Sequence, residues 1–360
     1  MSRLVYFLVP IGIIFCGIML INWQEIEETA TDLKYVSEHL TVISAEPPPD
    51  LHFCGERVPL ENFDVKERLD QELQRNVYYH SSTIMMIKRA SRYRDEILRT
   101  LRENGVPDDF FYLALAESGL TNAVSPRGAR GVWQFMQSAG KHYGLEISET
   151  VDERYHVEKA TKAACGYLKD AFRKFNNWTL TAASYNMGEP RLLKAIARQN
   201  VSSYYDVHLN RETSKYVFRI LAIKCIVENP ARYGFSIRNT YQPVRYYTVD
   251  VSNTISDLAA FASKNGSNYR MIKIMNPWLT ASRLANKSGK KYKVRFPTNP
   301  NMYAGEVADL RAKEREQYEL TEKEKELKAE EEALEKEKEK KKNQALLEAE
   351  EKLDSVVVPK

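Results

Sequence analysis

The chain has 360 residues, 43% of them hydrophobic, enough for one substantial core and a smaller second unit. Its 53 Lys and Arg nearly balance 49 Asp and Glu, and a formal charge of +4 gives no footing for nucleic acid as a partner. The four cysteines and six scattered histidines show no metal-ligand spacing, so neither a metal nor a cofactor is expected.

Leu4 to Ile21 is uncharged and apolar, preceded by Arg3 and followed by Glu25, Glu27 and Glu28. The run is just long enough to cross a bilayer, and its positive leading flank predicts that the rest of the chain lies outside the cytoplasm. No small-x-small cleavage site follows the run. Residues 1–25 are therefore read as an uncleaved transmembrane signal anchor, with a cleaved signal peptide as the alternative. Phe15 before Cys16 is too bulky for a lipoprotein signal. Residues 26–63, with Pro47-Pro48-Pro49, read as a stiff extracytoplasmic tether.

From Asp64 to Glu103 apolar residues recur at helical spacing, as in Val65, Leu69, Leu73, Ile84, Ile87, Ile97 and Leu101. A new helix is expected from Pro107, with Asp108 and Asp109 in its first turn and a stop at Ser118-Gly119. Glu117 shares a face with Phe110, Leu113 and Ala114, which should be a core face. Partial desolvation, the negative end of a helix dipole and the absence of a nearby Lys or Arg in sequence all raise a carboxyl pKa. A carboxyl group still protonated near neutrality suits a general acid. The alternative is a helix-end Glu that reaches water.

The chain continues with Ser125-Pro-Arg-Gly128-Ala-Arg-Gly131 and Val132-Trp-Gln-Phe-Met136, where Trp133 either stacks on a ligand or fills core. Helices follow at Ser138 to Tyr143, Val157 to Phe175, Trp178 to Met187, Leu192 to Ala197 and Tyr216 to Val227. Two further blocks stand out, Ala182-Ala-Ser-Tyr185-Asn186-Met-Gly188 and Arg211-Glu212-Thr-Ser-Lys-Tyr216-Val217. Together, Glu117-Ser118, the Gly-rich loop, Gly131 to Met136 and these two blocks resemble the soluble lytic transglycosylase family of the lysozyme superfamily. The resemblance covers roughly residues 75 to 235 and is nearest the membrane-bound murein transglycosylase D subgroup; Ser184 departs from the usual Ala. It implies a mainly α, lysozyme-like catalytic domain, placed at residues 64–238.

Residues 241–297 change character. Arg245 to Val249 and Lys291 to Phe296 carry strand signals, and Ile255 to Ser263 and Tyr269 to Met275 carry helical spacing. Strand, helix, helix, strand, with Asn276-Pro277-Trp278-Leu279, resembles a small α+β LysM domain. Val251-Ser252-Asn253-Thr254 replaces the usual Ser-Gly-Asp-Thr turn, so the fold carries over more firmly than glycan affinity. Residues 298–360 turn into Lys/Glu repeats with few apolar positions, a solvated single helix or disorder, whose protein partner stays unknown.

Glycosidic cleavage usually takes two carboxylates, yet no Asp or Glu lies between Glu117 and Glu146. The family resemblance implies a one-carboxylate route. Glu117 protonates the oxygen of the β-1,4 bond between N-acetylmuramic acid and N-acetylglucosamine in peptidoglycan. It then takes the proton of the muramic acid 6-hydroxyl, which closes a 1,6-anhydro ring without water. Also by resemblance, Ser118 and Ser125 bond near the acid or substrate, and Gln134 and Met136 line sugar subsites. Tyr185 places its hydroxyl beside the acetamido group or Glu117, Asn186 braces that loop, and Glu212 and Tyr216 complete the cleft. From residue pattern alone, Met136 and Tyr216 at helical spacing are more often core and Asn186 before a Gly more often a cap, whereas core is the lesser alternative for Tyr185. The implied location is the periplasmic side of the cell envelope, on an inner-membrane anchor. Two other functions stay open: a goose-type lysozyme-like hydrolase and a non-catalytic wall-binding scaffold. Cys165 and Cys225 are read as buried thiols, with a disulfide as the alternative.

Overall fold

The computed structural model describes residues 44–298, which form two compact units. The first comprises residues 44–147 and 153–242, and the second residues 148–152 and 243–298. The anchor expected at residues 1–25 and the charged tail expected at 298–360 lie outside the described residues, Thr298 excepted. Among the described residues no helix is long and apolar enough to cross a membrane.

The first unit is helical. It opens with a two-stranded hairpin, β1 (His52–Phe53) and β2 (Glu56–Arg57). Cys54 and Gly55 both take positive φ, 54° and 81°, the backbone that a tight two-residue hairpin turn requires. The helices are α1 (Phe63–Tyr78), α2 (His80–Glu103), α3 (Phe110–Ser118), α4 (Gln137–His142), α5 (Val157–Phe175), α6 (Trp178–Met187), α7 (Glu189–Gln199) and α8 (Thr213–Glu228). Helix α3 is short but buried all round from Phe110 to Leu115, so it is held by tertiary packing rather than by propensity. It packs on α8, which also packs on α1 and α6. This arrangement brings residues from one end of the unit's sequence against those from the other.

The expected tether is corrected from residue 44 onward. Ala45, Leu51, Phe53 and Val58 are buried in the same core as α1 and α3. The Phe53 ring meets Phe110 edge-on at 5.5 Å. The Glu56 carboxylate accepts from the backbone N–H groups of Trp178 at 2.6 Å and Thr179 at 2.9 Å, so it caps α6 from outside the helix. The start of α3 also differs from expectation, falling three residues after Pro107. Asp108 instead pairs with Arg102. Asp109 accepts from the Cys54 N–H at 2.6 Å and from Lys224 Nζ at 2.8 Å. These tertiary partners claim both acids that a helix dipole would have used. Cys54, Cys165 and Cys225 are free thiols, and Cys165 and Cys225 are buried without pairing.

In the second unit β3 (Tyr246–Val251) pairs antiparallel with β4 (Tyr292–Pro297) in a register running from Tyr246 opposite Pro297 to Val251 opposite Tyr292. Helices α9 (Leu258–Lys264) and α10 (Tyr269–Met275) bury Leu258, Ala262 and Ile272 with Val294 and Phe296. The strand–helix–helix–strand order is thus present. Asn276 is fully buried; its amide donates to the Ile272 and Arg295 carbonyls and accepts the Arg295 N–H at 2.8 Å. Trp278 is buried and stacks on Tyr292 at 5.7 Å. The Asn276-Pro-Trp-Leu279 motif therefore serves the interior. Asn286 spans the Val251 to Thr254 turn, donating to the Ser252 carbonyl at 2.9 Å while Thr254 Oγ accepts its N–H. Residues 148–152 join this unit through the Val151–Leu279 bridge and the Thr280 N–H bond to the Thr150 carbonyl.

Candidate active site

Glu117 sits in the last turn of α3. Gly119 follows in the left-handed region (φ 57°) and closes the helix with its N–H on the Leu115 carbonyl. Leu120 keeps positive φ at 56°, an uncommon conformation for a non-glycine residue, and turns the chain away at once. The acid is left half-buried at a helix end whose preceding turns are wholly core.

The Tyr216 hydroxyl, from the first turns of α8, donates to Glu117 Oε1. Burial pushes the Glu117 carboxyl up to about 7. The Tyr216 hydrogen bond and the Arg219 guanidinium oppose that rise, because each favours the ionised form, while Glu212 adds to it. The sequence showed no cation near Glu117; the fold supplies Arg219 from α8. The tyrosines sense the acid in return, since burial first and the Glu117 charge next hold Tyr185 and Tyr216 far above the usual phenol range.

The loop from Val124 to Phe135 is a small antiparallel excursion, with bridges Val124–Arg130 and Arg130–Phe135. Ser125 closes its tip: its Oγ accepts the Ala129 N–H at 3.0 Å. Gly131 (φ 77°) lets the loop pass so near Arg154 that a Cβ there would lie 1.9 Å from the Arg154 carbonyl oxygen. Trp133 is fully buried, with its indole N–H on Thr161 Oγ at 2.8 Å, so it fills core. Gln134 sits at φ 49° with its amide on the carbonyls of Gly131 and Ala123, at 2.8 and 3.1 Å. Ser118 ties the acid's helix to this loop, donating to the Val132 carbonyl at 2.9 Å. Met136 stands exposed at the start of α4.

Tyr185 packs beneath the loop, within reach of the Glu117 charge. Its hydroxyl donates to the Trp133 carbonyl at 2.7 Å, and its ring packs 5.0 Å from Tyr167 and 6.2 Å from Phe135. Tyr185 thus props the loop, and Tyr216 holds the acid. Asn186 is exposed at the end of α6 and accepts from Thr213 Oγ at 2.9 Å, which braces the start of α8. Glu212 is exposed and pairs with Arg219 at 3.2 Å. Glu117 and Tyr216 meet directly, Ser118 and Tyr185 bond to the loop that carries Gln134, and Ser125 and Asn186 act as local braces. Arg219 was missed, although it lies three residues beyond Tyr216 on the same helix, where side chains are neighbours.

This arrangement offers one protonatable carboxyl beside a loop rigidified by its own backbone bonds. Residues 97–207 match the Transglycosylase SLT domain family, and residues 247–300 match the Soluble lytic transglycosylase C-terminal LysM-like domain family. The chain thus carries an SLT transglycosylase domain followed by a LysM-like domain. Its SLT domain carries Glu117, the Gly131 to Met136 loop and Tyr185, with Tyr216 just beyond the matched span. Over 251 residues the chain is 30% identical to membrane-bound lytic murein transglycosylase D of Escherichia coli K12, covering 67% of this chain and 54% of that protein. The counterpart from Escherichia coli O6:H1 gives the same figures. The chain therefore spans about half the length of the curated relatives it matches. The 70 kDa soluble lytic transglycosylase of Escherichia coli overlaps with a TM-score of 0.35 at 16% identity, over 58% of this chain and 42% of that one.

Proposed function

We propose that the chain is a peptidoglycan lytic transglycosylase working on a lysozyme-like fold. The observation that carries this reading is the Glu117 carboxyl, half-buried at the end of α3 and bonded by Tyr216, with its pKa pushed up to about 7. Near neutrality such a group exists in both forms, as a catalyst that first gives and then takes a proton requires. In the first step Glu117 donates to the glycosidic oxygen linking N-acetylmuramic acid to N-acetylglucosamine. The bond breaks with its electron pair on that oxygen, and positive charge develops at the muramic anomeric carbon. In the second step Glu117 takes the proton of the muramic 6-hydroxyl while that oxygen bonds to the anomeric carbon. No water is consumed, and the internal hydroxyl wins by its high effective concentration.

Tyr216 holds the carboxylate during the interval between the two steps. Arg219, paired with Glu212, adds positive charge on the same side. Glu212 is engaged with that guanidinium, which supports a scheme with a single working carboxylate. Gln134 and Met136 border the sugar-binding face, while Ser118 and Tyr185 fix the loop that shapes it. The LysM-like unit adds a second wall-binding element. The cell envelope is the corresponding location, outside the cytoplasm and tethered by residues 1–25. Membrane-impermeant labelling of intact spheroplasts tests that topology, and failure to label residues beyond 25 overturns it.

Digestion of purified sacculi by wild type and by Glu117→Gln tests the chemistry. Wild type should release muropeptides with 1,6-anhydro ends, one water lighter than reducing ends in the mass spectrum. Glu117→Gln should lose about 10²-fold or more in rate with an unchanged helical signature. Reducing ends from wild type would assign a water-using hydrolase instead, and release of nothing would leave a wall-binding scaffold.

A further inference from the structure

Beside the acid, on the same helix that supplies Tyr216, lies a cavity of about 360 Å³ lined by Arg75, Arg211, Glu212, Lys215 and Arg219. Lys215 and Arg219 stand four apart on α8 and Arg211 lies just before that helix, and all three line the cavity as a basic stripe at its start. Arg75 faces them from α1. Two carboxylates partly neutralise the group. Buried Glu72 pairs with Arg75 and lies 3.7 Å from Arg219, and Glu212 takes Arg219 at 3.2 Å. Arg211 and Lys215 have no carboxylate partner among the described residues. The stripe also surrounds the N-terminal end of a sixteen-residue helix, where the helix dipole favours an anion. The cavity thus carries two committed cations and two uncommitted ones, all opening onto one space.

Resting on the lytic reading above, we propose that this cavity binds free carboxylates of the peptide stems borne by muramic acid. A planar guanidinium and an ammonium side by side suit a carboxylate, which accepts paired charge-assisted hydrogen bonds. A glycan backbone of neutral acetamido sugars has no use for four cations, whereas its peptide stems end in carboxylates. Arg219 links the two places, since it borders the cavity and its charge reaches Glu117. A stem seated on Arg211 and Lys215 therefore fixes the muramic residue along α8 relative to the acid.

The test measures binding with full-length Glu117→Gln protein, so that turnover does not intervene. Three glycan fragments are compared: one with intact stems, one with its stem carboxylates amidated, and one with the stems removed, which keeps only the lactyl carboxylate. Intact stems should bind about tenfold more tightly than either other fragment. Adding Arg211→Ala and Lys215→Ala should abolish that preference while leaving affinity for the stripped fragment and the melting temperature unchanged, and Lys215→Arg should preserve it. Equal binding of intact and amidated fragments overturns the proposal. So does a preference that survives in the double alanine variant, or tight binding of the stripped fragment, which would assign the site to the lactyl group. Absence of anhydro products from wild type would refute the lytic reading and leave this comparison to be judged on its own outcome.

Discussion

Tyr216 and Glu117 are 99 residues apart in sequence, and the hydroxyl of one donates to the carboxylate of the other. The bond stabilises the ionised form of an acid that burial works to keep neutral. The two effects oppose each other, and burial prevails, leaving the carboxyl at about 7.

The first prediction concerns pH. Cleavage that begins with proton donation by Glu117 should lose kcat/KM above about pH 7, approaching tenfold per further unit. A profile flat to pH 9 would disqualify Glu117 as the donor. Stability follows the same sign. The folded-state pKa lies above the unfolded carboxyl value of about 4.3, so the native state holds extra proton between those values. The contribution of this group to stability is complete below the lower value and is lost as pH rises towards 7. Thermal melts of wild type and Glu117→Gln should therefore diverge in favour of the variant as pH increases from 4 to 8.

Replacing Tyr216 by Phe removes the donor and little else, because the ring stays buried. The ionised form loses support, so the falling limb of the pH profile should move to higher pH. The rate at neutrality should drop roughly tenfold, because the second step needs the carboxylate held in place. A limb that moves to lower pH contradicts the assigned hydrogen bond.

Much of this architecture can be read along the chain. The helices at 157–175, 178–187 and 269–275 end where the pattern says they end, because polar caps and breakers bound them locally. The position of Glu117 before a Ser-Gly stop is also local information. What escaped reading depends on distant partners. The hairpin at 52–57 has strands too short for any periodicity, and only Phe110 and α6 explain its place. Asp108 and Asp109 look like helix-start residues until Arg102 and Lys224 claim them. Tyr185 and Tyr216 are indistinguishable as patterned aromatics. Which hydroxyl reaches the acid is decided by the packing of α8 on α3.

Gly131→Ala should be severely destabilising. The added methyl would overlap the Arg154 carbonyl, and the backbone there is at φ 77°, which side-chain-bearing residues seldom adopt. A loss of about 2–4 kcal/mol is expected by urea unfolding, with activity reduced further by the displaced loop. A variant of wild-type stability would contradict this close approach.

Phe53→Ala should cost about 3–5 kcal/mol, since the ring is fully buried against Phe110. A linker residue would cost almost nothing. Equilibrium unfolding of the two proteins separates those outcomes.

The Glu56 carboxylate at the head of α6 has a kinetic consequence. The amide protons of Trp178 and Thr179 can exchange with solvent deuterium only when that carboxylate lets go, and it is carried by strand β2 of the leading hairpin. Protection at these amides and at the Val58 N–H, which is bonded to the Leu51 carbonyl, should therefore disappear together. The far end of the same helix carries Tyr185, whose hydroxyl holds the Trp133 carbonyl, so opening of the leading segment should also loosen the Val124 to Phe135 loop.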